Sequence, residues 1–106
     1  MQLPVYVPGA LLHVGDMHAR QGDGEICGAG GIESSALVRL RCELGPKPAM
    51  MSGPRLESAT HIMTVACARP AEDAFRAALE AMILWLEEGY GFDRGEAYLF
   101  LSLIHI

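Results

Sequence analysis

The chain is poor in basic side chains and in cysteine, and each shortage removes a class of function. Eight Lys and Arg stand against thirteen Asp and Glu, a formal net charge of −5 over 106 residues. Phosphate backbones are held by clustered cations, and here the basic residues are scattered, so no nucleic acid is expected as a partner. Cys27, Cys42 and Cys67 are odd in number and show no CxxC spacing. That disfavours a disulfide framework or a zinc ribbon and fits reduced thiols in a cytoplasmic protein. No run approaches the roughly eighteen apolar residues of a membrane span, and Met1-Gln2-Leu3-Pro4 has neither a basic nor an apolar leader character. No membrane partner is expected. Internal repeats, low-complexity tracts and interdomain linkers are also lacking. In excess are apolar residues, 51% of the chain, and twelve glycines. Such a surplus predicts surface meant for a partner domain or subunit. The length suits a single domain spanning 1–106, β-rich over 1–68 and helical over 69–106.

Chemistry concentrates in Gly15-Asp16-Met17-His18-Ala19-Arg20-Gln21-Gly22-Asp23-Gly24-Glu25. On an extended backbone, side chains alternate faces, so Asp16 and His18 share one side and Gln21, Asp23 and Glu25 another. Gly22 and Gly24 leave the opposite face open to a substrate or a second strand. Carboxylates with one imidazole suit Zn, Mn, Mg or Ca rather than thiolate-seeking metals. The bland alternative is a Gly/Asp surface turn whose aspartates cap backbone N–H groups.

Along the rest of the chain, Leu3–Val7 and Ala10–Val14 read as strands around a Pro8-Gly9 corner, with His13 a partly buried core histidine. Cys27 shares parity with Asp23 and Glu25 and is either a site thiol or, more simply, a small buried hydrophobe. Residues 28–31, Gly-Ala-Gly-Gly, read as a turn or bulge beside the site. Val38, Leu40, Cys42 and Leu44 alternate with Arg39, Arg41 and Glu43, the pattern of a half-exposed antiparallel strand opening at Glu33. Residues 45–54 form a loop, and the apolar stretch 60–67 reads as a strand covered on both faces. From Pro70 the period changes. Ala71, Ala74, Phe75, Ala78, Leu79, Met82, Ile83 and Leu86 trace an amphipathic helix, closed by Gly89. Asp93 and Glu96 are spaced as a capping box for a second helix, with Ala97, Phe100, Leu101 and Ile104 on one side. The predicted fold class is α+β: an antiparallel, sandwich-like β-rich unit, one long amphipathic helix, and a second C-terminal helix.

Val5-Tyr6-Val7-Pro8-Gly9-Ala10-Leu11-Leu12-His13-Val14, running into GDMHARQGDGE and Ile26-Cys27-Gly28, resembles the acetamidase/formamidase family of metal-dependent amide hydrolases. GDxHxxQGDGE is long and gap-free. Arg55-Leu56-Glu57-Ser58-Ala59-Thr60-His61 and Glu96-Ala97-Tyr98-Leu99-Phe100-Leu101-Ser102 are similar to later family segments. The resemblance implies an internal or C-terminal-half fragment of a chain about three times longer, whose missing N-terminal half completes the site. It makes residues 103–106 the end of a truncated reading frame. It also brings forward His61 as a substrate or metal contact and Glu33 as an acid beside the site, although Glu33 serves equally well as a strand-entry cap.

Two functions follow. The first is hydrolysis of a small linear amide of the formamide or acetamide type to carboxylate and ammonia, at a non-peptide C–N bond. A divalent metal, zinc first with calcium or magnesium as alternatives, is held by Asp16, His18 and one of Asp23 or Glu25. Glu25 is the preferred general base, with Asp23 the other catalytic acid, and Gln21 holds the amide or its oxyanion. The second is a non-catalytic β-rich module, with a structural cation site or none, that assembles as a homo-oligomer or with the missing half.

Overall fold

The computed structural model describes residues 1–22, 25, 27–28 and 30–103. Its elements run β1 (His18–Arg20), β2 (Ile32–Glu33), β3 (Arg55–Glu57), β4 (Ile62–Thr64), α1 (Ala71–Tyr90) and α2 (Arg94–Leu101). Two two-stranded antiparallel sheets precede two helices, an α+β chain. The residues group into two compact units, 9–45 and a second made of 1–8 with 46–106.

In the larger unit β3 and β4 pair in register, Arg55 opposite Thr64, Leu56 opposite Met63 and Glu57 opposite Ile62. The turn between them is built on Ser58, whose Oγ accepts from the backbone N–H groups of Thr60 and His61. Such side-chain-to-backbone bonding is the ordinary use of serine in a tight turn. Ile62, Thr64 and Ala66 are half-buried while Met63 and Val65 are exposed, so this strand is covered on one face and not on both. The covering element is α1, and Thr64 Oγ1 donates to the Ala78 carbonyl at 2.8 Å, pinning strand to helix.

The long helix forms where the apolar residues recur at three and four. Pro70 precedes it in extended conformation, and Glu72 and Asp73 place negative charge at its positive end. It stops at Gly91, φ 74°, whose N–H bonds back to the Leu86 carbonyl. The stop is therefore two residues beyond the predicted Gly89: backbone bonding continues through Gly89, and only Gly91 adopts the left-handed cap. The second helix opens on the predicted capping box, with Asp93 Oδ1 accepting from Glu96 N at 3.0 Å and Glu96 Oε2 accepting from Asp93 N at 3.2 Å. Arg94 reaches back to Glu87 Oε2 through both Nε and Nη2 at 3.2 Å. The core sits between the helices, where Leu86, Ala97 and Leu101 are buried and Ile62, Leu79, Met82, Ile83 and Phe92 pack around them. Ala97 has no exposed surface, so a larger side chain there has no room. Ile104 lies outside the described residues.

Three predicted strands are absent among the described residues. Residues 3–7 form no ladder; the amino terminus is tied down by a single bridge, Gln2 to Arg55, and by Tyr6 Oη donating to the Ser52 carbonyl at 2.6 Å. Residues 10–14 are unpaired, and His13 is exposed rather than a core residue. Of the strand expected from Glu33 to Leu44, only Ile32–Glu33 is paired. The alternation beyond it meets no second strand, and Leu37, Leu40 and Leu44 stand exposed. A strand is stabilised by its neighbour, so pattern without a partner yields no ladder.

Two outcomes test this frame. Asp93→Ala removes one side of the capping box and lowers unfolding free energy by about 0.5–2 kcal/mol, read as a lower urea midpoint with unchanged m-value; an unmoved midpoint counts against the cap. Glu88 accepts from Arg55 Nη1 at 2.9 Å and from Met50 N at 3.2 Å. The Arg55 hydrogen bond first, then Met50, holds its carboxyl below the ordinary value of 4.5. A depressed folded value adds stability that is complete above the ordinary value and fades as pH falls through the folded one. Glu88→Gln is accordingly less stable than the parent near neutrality, and the gap narrows below about pH 4.5; a gap that widens on acidification contradicts the assignment.

Candidate metal centre

The 9–45 unit is organised by one cross-strand pair. β1 and β2 run antiparallel with His18 opposite Glu33 and Arg20 opposite Ile32, so Ala19 is the extra residue of a bulge. Directly opposed residues on one face meet. His18 Nε2 lies 3.1 Å from Glu33 Oε1 and 3.6 Å from Asp16 Oδ1. The His18 side chain is 11% exposed, against 77% for Glu33 and 78% for Asp16. Asp16 arrives through a left-handed backbone, φ 60°, rather than along an extended ribbon. Non-glycine residues rarely adopt this region, and aspartate is among the more tolerant.

Room for the imidazole comes from Gly31. A Cβ there would stand 2.8 Å from His18 Cγ and 2.9 Å from the Arg20 carbonyl oxygen, closer than real contacts allow. The neighbouring Gly30 has φ 66°, and a Cβ on it would collide with the Glu25 carboxylate. Each of the two consecutive glycines thus leaves room for one side chain, Gly31 for His18 and Gly30 for Glu25. Glu25 is itself left-handed, φ 41°, with its N–H bonded to the Gly22 carbonyl at 3.2 Å. Its Oε2 accepts from Gln21 Nε2 at 2.6 Å. The positive φ of Glu25 departs from the extended backbone expected from its spacing.

One ligand atom from each of Asp16, His18 and Glu33 lies within 4.8 Å of the others. Nε2 carries at most one proton and satisfies one carboxylate, leaving the second anion uncompensated. A dication on the same three atoms answers both, and the donor set of one imidazole nitrogen and two carboxylate oxygens suits zinc, whereas calcium asks for six to eight oxygens. The residues present therefore fit the group.

The candidate residues are distributed as follows. Asp16 and His18 come together, and Glu33 joins them. Glu25 and Gln21 form a separate hydrogen-bonded pair next to the imidazole's glycine seat. Asp23 lies outside the described residues. Cys27 is exposed and stands outside the trio, neither beside the cluster nor buried as a small hydrophobe. His61 belongs to the other unit, its Nδ1 2.7 Å from Thr60 Oγ1. Glu33 was the candidate that spacing ranked low; the glycine pair just before it was the available signal for an antiparallel return bringing it against His18.

A family model described as the Acetamidase/Formamidase family matches residues 1–106, and the chain belongs to that family. It is 50% identical over 42 residues to a Schizosaccharomyces pombe protein named as a putative formamidase, a match covering 40% of this chain and 10% of that protein. It is 46% identical over 41 residues to an acetamidase of Mycolicibacterium smegmatis, covering 39% and 10% respectively. The matched stretch is thus about a tenth of the length of these curated relatives. No solved structure matches the chain.

The two glycines give different expectations by NMR. Gly31→Ala meets ring and backbone atoms, so it shifts the His18 imidazole resonances and disturbs the β1–β2 pairing. Gly30→Ala meets the end of the Glu25 side chain and strains its own positive φ, so it alters the Gln21–Glu25 pair and shifts the His18 ring signals less than Gly31→Ala does. His18 signals unmoved in Gly31→Ala contradict the seat.

Proposed function

We propose that the chain carries part of the catalytic centre of a metal-dependent amidase acting on small linear amides. The observation that carries this is the convergence of Asp16 Oδ1, His18 Nε2 and Glu33 Oε1, in a chain of the acetamidase/formamidase family. Asp16, His18 and Glu33 would hold a divalent ion, zinc by donor chemistry. Such an ion supplies Lewis acidity toward an amide carbonyl. Three protein ligands leave a coordination position open, as catalytic sites require and closed structural sites do not.

Glu25 acts as the base. Its carboxylate is oriented by Gln21 and takes a proton from the attacking water as oxygen bonds to the carbonyl carbon. It returns that proton to nitrogen as the C–N bond breaks, so amide and water become carboxylic acid and ammonia. Gln21 has a second amide N–H beyond the one given to Glu25, available to the developing oxyanion. The names of the two relatives, putative formamidase and acetamidase, support a one- or two-carbon acyl group.

A second function, a module that assembles on another surface around a structural cation, is favoured by one observation. Every side chain classed as buried among the described residues lies in the 1–8 and 46–106 unit, and none in 9–45.

Ammonia release from formamide and acetamide by the zinc-loaded chain separates the two. Glu25→Gln keeps stoichiometric zinc and lowers the rate by about 10²–10⁴-fold, whereas His18→Ala loses the metal. Zinc bound with no ammonia formed favours the structural site. Ammonia release unchanged by Glu25→Gln removes the base from the mechanism.

A further inference from the structure

The larger unit contains a second, separate hollow, lined by Gln2, Lys47, Pro48, Arg55, Trp85 and Glu88 among others. Arg55 is the only charged or polar residue buried among those described, at 4% exposure. Its Nη1 pairs with Glu88 Oε2 at 2.9 Å, while Nη2 is buried with no hydrogen-bond partner among the described residues. A guanidinium carries five N–H donors, and a buried donor left unmatched is costly enough that native structures rarely keep one without a use. Glu88 does not reach it: its Oε2 accepts from Arg55 Nη1 and its Oε1 from Met50 N, and neither oxygen bonds Nη2.

The surroundings define what would. Lys47, exposed and poised with Nζ 5.0 Å from the Tyr6 ring centroid, adds a second positive charge. Lys47 and Arg55 against Glu88 leave the hollow one positive charge in excess. One wall is aromatic, since Arg55 Cζ lies 5.1 Å from the Trp85 ring centroid. A single negative charge balances the hollow, a planar two-oxygen acceptor matches the fork of Arg55, and a short alkyl group suits the indole. A dianion is disfavoured by the Glu88 carboxylate. Of the lining, residues 46–48 belong to no strand or helix.

We propose that this hollow binds a small monocarboxylate, its two oxygens on the free edge of the Arg55 guanidinium and toward Lys47, its carbon chain on Trp85. The proposal uses none of the residues of the metal centre, so either can fail without the other.

Trp85 is the sole tryptophan in the chain, and its emission therefore reports on this wall. The metal-free chain, kept so with a chelator, is titrated with sodium acetate and sodium formate at constant ionic strength against sodium chloride. A saturable change is expected with the carboxylates and not with chloride. Lys47→Ala, a surface change that leaves the fold intact, weakens acetate by about threefold, and Arg55→Lys, which keeps the charge but loses the fork, by about tenfold. No saturable response, an equal response to chloride, or affinity unchanged in Lys47→Ala overturns the proposal. Should Arg55→Lys fail to fold by circular dichroism, Lys47→Ala alone decides.

Discussion

Two carboxylates meet on one imidazole nitrogen because Gly31 has no Cβ. This contact constrains the whole 9–45 unit: it fixes the register of β1 against β2, places the bulge at Ala19, and demands the left-handed backbone at Asp16. Locally these features are unfavourable. A non-glycine residue at positive φ costs on the order of 1–2 kcal/mol, and this unit holds two, Asp16 and Glu25. Two exposed anions held close together add repulsion. Strain of this kind persists where something else over-determines the geometry, and a cation shared by the three ligand atoms is a sufficient cause.

The two units divide their labour differently. In the larger one, helix periodicity, a capping box and a left-handed glycine cap agree with the burial of Leu86, Ala97 and Leu101, and local preference and tertiary packing reinforce one another. In the smaller one, Leu11, Leu37, Leu40 and Leu44 are exposed and order is carried by polar contacts and glycine turns. A chain segment that hides so little apolar surface gains little to set against its ordering entropy of about 1–2 kcal/mol per residue. That is consistent with a stretch whose curated matches run to about ten times the matched length.

Helices were the more legible part of the sequence, for a physical reason. Their hydrogen bonds close within the segment, so Asp93 with Glu96 and the stripe ending at Leu86 suffice to locate them. The one error, Gly89 for Gly91, arose because glycine composition does not reveal which residue takes positive φ. Strands depend on what lies across from them. The alternation from Val38 to Leu44 is clearer than anything in Ile32–Glu33, yet only the latter found a neighbour. The candidate site shows the same division. Asp16 and His18 are close in sequence and could be grouped by spacing, whereas Glu33 is joined to them by a cross-strand register that no spacing rule encodes. Cys27, placed by parity, rested on an extended backbone that the positive φ of Glu25 does not follow.

The central claim is that the imidazole of His18 and the carboxylates of Asp16 and Glu33 share a single ion. X-ray absorption at the zinc edge of the loaded chain addresses it most directly. The geometry predicts scattering from one imidazole with only oxygen donors besides. A sulfur shell, which would bring in a cysteine, or a second imidazole, which would bring in another of the four histidines, contradicts it.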